Sequence, residues 1–141
     1  MKGLIYAFLA GTCITLQGVV NSRISQDIGI LQTITVTQFT GFILALLILL
    51  IVKDSSYRKI KSVKLPYVFA GAFGLLIIFN EVSAIQRIGV TVTMAVILTA
   101  QIVMAFLIEA KGLFGIKKQK LYAPQFIGIG IMIAGILIMQ F

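Results

Sequence analysis

A chain of 141 residues that is 60% hydrophobic and only 11% charged has too little polar surface to cover a soluble core of its own size. A net charge of +8 would suit nucleic acid, but the basic residues stand in short segments beside long apolar runs, with no separate domain to present them. Nucleic acid is therefore excluded as a partner, and a lipid bilayer is the expected surroundings. The charged residues leave uncharged stretches at 3–22, 28–52, 65–80, 88–108 and 121–141. Crossing about 30 Å of hydrocarbon takes about 20 apolar residues in a helix. The pattern predicts an all-α integral membrane protein, one membrane domain over 1–141, with spans at about 3–21, 30–52, 65–85, 89–109 and 121–140.

The first span follows Lys2 and imitates a signal peptide, but cleavage near Cys13 would remove the helix, so it reads as a retained span. Cys13 is the only cysteine, cannot form an internal disulfide, and reads as a small apolar packing residue. Near the outer end, Gln17 and Asn21 are four apart and share a helix face, Gln17 about 21 Å above the inner end. Two roles stand open for them: interhelical hydrogen bonds of about 0.6–2 kcal/mol, or contact with a substrate. In the second span Gln38 lies about 12 Å below the outer end.

The third span reaches full length only by including Glu81, the one ionisable residue inside a span, about 24 Å above the inner end. An acidic residue at a helix centre costs roughly 2.5–3.5 kcal/mol, which a position toward the interface reduces. Glu81 either tips outward to pair with Arg87 or faces a cavity and binds a cationic substrate or proton. Neighbouring Asn80 points about 100° away, so at most one of the two faces a cavity squarely. The fourth span carries Gln101 about 18 Å below its outer end, and Glu109 closes it beside Lys111 as an expected solvated pair. The fifth has no polar residue between Gln125 and Gln140 and reads as packing surface. Small residues four apart, Ala7/Gly11, Gly41/Ala45, Ala70/Gly74 and Gly130/Ala134, would let helices approach closely.

Lys2, the 53–64 loop (Lys53, Arg58, Lys59, Lys61, Lys64) and the 111–120 loop (Lys111, Lys117, Lys118, Lys120) put ten cations on one side. Only Arg23 and Arg87 fall on the other. The positive-inside rule predicts a cytoplasmic N-terminus and an external C-terminus. With no His, no Cys pair, no phosphate-cradling Gly loop and no second carboxylate near Glu81, no enzyme activity, cofactor or metal is expected.

Taken in order, Gln17-x-x-x-Asn21, Gly41, Arg87-Ile88-Gly89, Gln101 and Glu109-Ala110-Lys111-Gly112-Leu113 give a spacing that covers nearly the whole chain. It resembles the small five-helix bacterial branch of the drug/metabolite transporter superfamily, the YdcZ-like proteins. Members of that branch often carry Asp-His where this chain has Glu109-Ala110. The resemblance implies half of an inverted-repeat transporter in the bacterial inner membrane, moving a small-molecule substrate, in the direction of export, by alternating access in a dimer. An odd helix count puts the termini on opposite sides, so a second half joined head to tail is inverted, with a site near the midplane between halves. The ten-to-two bias disfavours one sequence inserting both ways. The expected partner is an oppositely oriented homologous subunit, forming a heterodimer, with a homodimer as second choice. Glu81, Gln101, Gln17, Asn80, Asn21 and Gln38 are the expected substrate- or ion-binding residues. The rival reading is a non-transporting accessory or assembly protein whose polar residues only glue helices.

Overall fold

A computed structural model of the chain describes residues 2–52, 69–119 and 122–140. The 53–64 loop, the start of the third expected span at 65–68, Lys120, Leu121 and Phe141 lie outside the described residues, as does the side chain of Gln140. Five α-helices and no strand occur among the described residues: α1 Lys2–Ile28, α2 Ile30–Val52, α3 Phe73–Ile88 entered through a 3₁₀ turn at Phe69–Ala72, α4 Val90–Lys111, and α5 Ala123–Gln140. The first four, counting the 3₁₀ turn with α3, are long and apolar enough to cross a bilayer, and α5 is a shorter apolar helix of 18 residues.

Helix α1 runs seven residues past the expected span, through Ser22–Ile28, because helix formation does not need apolar residues once the chain reaches the interface. There Arg23 Nη1 donates to Gln26 Oε1 at 2.9 Å and stands 3.8 Å from Asp27 Oδ1. These pairs, three and four residues apart, are worth a few tenths of a kcal/mol each on an exposed helix face.

A single residue, Gly29, separates α1 from α2 with φ +88°, a conformation that side chains resist. Its carbonyl accepts both the Thr33 amide at 3.1 Å and the Thr33 hydroxyl at 2.8 Å. The same device recurs between α3 and α4, where the Gly89 carbonyl accepts the Thr93 amide at 3.3 Å and the Thr93 hydroxyl at 2.7 Å. Thr33 and Thr93 are both 1% exposed, so the side-chain bond satisfies a hydroxyl that burial would otherwise strand. Gly89, at φ 79° and ψ 167°, occupies a region essentially restricted to glycine. Since nothing lies within 4 Å of a Cβ built there, Gly89→Ala is a purely conformational test. It should lower unfolding free energy by about 1–3 kcal/mol in a denaturant titration of the detergent-solubilised protein.

The chain divides into two compact units, Met1–Arg87 and Ile88–Phe141. In the first, Ile34 on α2 and Ile78 and Val82 on α3 form the apolar core, flanked by Ile30. Burial in this unit is confined to positions 18–34 and 78–85, while residues 2–14 of α1 and 38–52 of α2 are exposed throughout. In the second, α4 packs on α5. On α5 the partly buried residues Gln125, Ile129, Met132 and Ile136 recur every three or four positions, the stripe expected of a helix covered on one side. Helix α4 ends on Gly112 (φ 65°, ψ 36°), whose amide donates to the Glu109 and Ile108 carbonyls, and the Gln119 amide returns to the Glu109 carbonyl at 3.1 Å. Helix α5 opens with a reciprocal cap in which the Tyr122 amide donates to Gln125 Oε1 at 2.9 Å and the Gln125 amide to the Tyr122 carbonyl at 3.1 Å.

Candidate functional site

The first unit gathers polar side chains at its buried end. Four residues of α1 are buried, Gly18, Asn21, Ser22 and Ser25, a spacing that places them on one face. On α3 the buried residues are Ile78, Glu81, Val82 and Ile85, each sixty positions after its α1 counterpart. The coincidence extends into sequence: Gln26-Asp27-Ile28-Gly29-Ile30-Leu31-Gln32-Thr33 matches Gln86-Arg87-Ile88-Gly89-Val90-Thr91-Val92-Thr93 at Gln, Ile, Gly and Thr, with Ile30 against Val90. The chain thus repeats a helix, its glycine break and its threonine lock, and the repeat sets Asn21 against Glu81 as equivalent positions.

Hydrogen bonds tie the three helices together. Thr37 Oγ1 on α2 donates to Asn21 Oδ1 at 2.8 Å. Gln86 Nε2 on α3 donates to Ser25 Oγ at 2.7 Å, and that hydroxyl donates to the Ser22 carbonyl at 2.8 Å. Lower in the unit, the Gln38 amide lies against Gly74, where a built Cβ would stand 2.8 Å from Gln38 Nε2. Two atoms are left over. Asn21 is 2% exposed and Glu81 7%, yet Asn21 Nδ2 and Glu81 Oε1 are buried with no hydrogen-bond partner among the described residues. An unpartnered buried polar group costs about 1–3 kcal/mol, more for a charged one, whereas the hydrogen bonds around it each return about 1 kcal/mol. The arrangement loses stability as pure glue, and such a loss is characteristic of sites shaped for something else.

The expected site residues therefore separate. Asn21 and Glu81 turn into the first unit together. Gln17, Gln38 and Asn80 belong to the same unit but are exposed, and Asn80 Nδ2 is occupied by its own helix at the Leu76 carbonyl, 2.8 Å away. Gln101 is exposed on α4 in the second unit. Arg87 is exposed and forms no ion pair with Glu81, and the one ion pair among the described residues is Arg23–Asp27. Thr37, Ser25 and Gln86 complete the network, and residue-by-residue reading passed over them because a single Ser, Thr or Gln in an apolar run carries little signal. Of the three, the sixty-residue repeat marks only Gln86, matched by Gln26, since Thr37 and Ser25 stand opposite Ile97 and Ile85.

Residues 3–138 match the family model DMT_YdcZ, described as "Putative inner membrane exporter, YdcZ". No curated protein and no solved structure matches the chain. With that match spanning nearly its whole length and its described structure made of apolar helices, the chain belongs to the YdcZ family of inner-membrane exporters of the drug/metabolite transporter type.

Proposed function

We propose that this protein is one subunit of a small secondary transporter that exports a polar solute by alternating access, with Glu81 and Asn21 as the groups that hold the solute. The observation that carries this reading is the carboxylate oxygen of Glu81, buried inside the first unit without a partner among the described residues. A buried carboxyl in a membrane helix is expensive, and its expense is explained when a transported group compensates it. Gln17, Asn80, Gln38 and Gln101 are exposed in the single chain, where a second subunit or the passing solute can meet them.

The partner we assign is an oppositely oriented homologous subunit, because the cation bias of ten to two favours one orientation for this chain. Exposure over residues 2–14 and 38–52 supports a partner on these faces, since Gly11 and Gly41 have nothing within 4 Å of a built Cβ. The chain's own packing does not need those glycines. Gly11→Leu and Gly41→Leu should accordingly leave the thermal unfolding of the subunit within about 0.5 kcal/mol of the parent while weakening dimerisation measured by cross-linking. Unchanged cross-linking in both would place the subunit contact elsewhere. Transport itself is tested in inverted membrane vesicles from cells making this chain with its homologue. Such vesicles should accumulate a cationic solute that vesicles carrying Glu81→Gln do not.

A further inference from the structure

The repeat within the chain brings two unsatisfied groups of opposite demand into register. Helices α1 and α3 bury the same positions, sixty apart, so Asn21 and Glu81 are equivalent positions of the repeat. The hydrogen bond from Gln86 Nε2 on α3 to Ser25 Oγ on α1 joins the two helices about one turn beyond these positions. The Thr37 hydroxyl occupies Asn21 Oδ1 and leaves Nδ2 as the free end of the amide. Nδ2 offers a donor, and Glu81 Oε1 offers an acceptor that carries negative charge when the carboxyl is ionised.

We propose that Asn21 and Glu81 form one recognition site for a protonated amine that carries an oxygen acceptor on the adjacent carbon, of which an amino alcohol is the simplest case. The proposal rests on the reading of Glu81 as the solute-binding group. Among the described cations of this unit, Lys2 stands exposed at the start of α1, nineteen residues before Asn21, Arg23 is paired with Gln26 and Asp27, and Arg87 is exposed without an ion pair to Glu81, so the ligand supplies the positive charge. A bare ammonium would leave Asn21 Nδ2 unsatisfied, a neutral alcohol would leave the carboxylate uncompensated, and an α-amino acid would set its own carboxylate against Glu81. Only a cation with a neighbouring acceptor meets both groups. Ile78 and Val82 flank Glu81 on the same face of α3 and suit an apolar remainder on the ligand.

The test uses the full-length protein purified in detergent and titration calorimetry with 2-amino-1-phenylethanol, 2-phenylethylamine and 2-phenylethanol. The amino alcohol should bind about tenfold tighter than the amine, the value of one buried hydrogen bond, and the neutral alcohol should not bind. Glu81→Gln should weaken both amines about a hundredfold. Asn21→Ala should keep the amine and erase the preference for the hydroxyl, although the wild-type comparison decides without any variant. Equal binding of the two amines by the wild type overturns the amino-alcohol assignment and leaves Glu81 standing as a cation site. Amine binding that survives Glu81→Gln undiminished overturns both, and binding of neither amine at millimolar concentration overturns the assignment alone.

Discussion

Replacing Glu81 by glutamine should abolish solute movement while leaving the subunit folded and inserted. The substitution keeps shape and volume and removes the charge. Because Oε1 has no partner among the described residues, no observed hydrogen bond to that atom is lost, and the cost of burying a carboxylate in a membrane helix disappears. Stability should stay level or rise by about 1 kcal/mol. A transported cation, by contrast, loses its counter-charge inside a desolvated site, worth about 2–5 kcal/mol, so export should fall to the level of vesicles without the protein. Glu81→Asp retains the charge one methylene short and should give intermediate transport. The pair of measurements is vesicle transport and thermal unfolding on the same preparations. Wild-type transport by Glu81→Gln would remove Glu81 from the mechanism, and a collapse of folding with no loss of transport per folded molecule would assign the residue to packing.

The second large effect concerns orientation. Expressed alone, the chain should insert in a single topology, its C-terminus outside, because reversing it would carry ten basic residues across the membrane in place of two. Single cysteines at each terminus, labelled in whole cells with a membrane-impermeant reagent, read the fraction in each topology. A Cys13→Ser background is required, since Cys13 is free and exposed on α1. Uniform labelling at the C-terminus directs the search to a partner of opposite orientation by co-purification. A near-equal mixture would show that this one sequence can build an antiparallel dimer by itself, and the heterodimer assignment would fall.

Much of the architecture was legible because a bilayer makes composition decisive. Water is excluded from about 30 Å of depth, so backbone groups there must bond within their own helix, and uncharged stretches at 3–22, 28–52, 65–80, 88–108 and 121–141 announce helices without reference to any contact. Boundaries were less legible. Nothing in an apolar count foresees that α1 continues through Ser22–Ile28, since that extension follows from helix propensity and interface pairs, or that a single glycine suffices at positions 29 and 89. Gln17 and Asn21 share a face by their spacing, yet the structure buries Asn21 and leaves Gln17 exposed, because burial on α1 is confined to its C-terminal stretch from Gly18 on.

Glu81 shows the same division at one residue. Sequence alone identified it as the one acid in a span, with pairing to Arg87 and a buried role equally open; six residues of helix separate the two by about 240°, and the fold turns Glu81 inward and Arg87 out. By itself, then, the sequence determined the membrane and the helical class, which follow from transfer free energies summed along the chain, and the family resemblance, which follows from the order and spacing of its motifs. Only tertiary structure decided which polar groups meet, because a hydrogen bond depends on ångström distances between helices that are far apart in sequence, as Ser25 and Gln86 are.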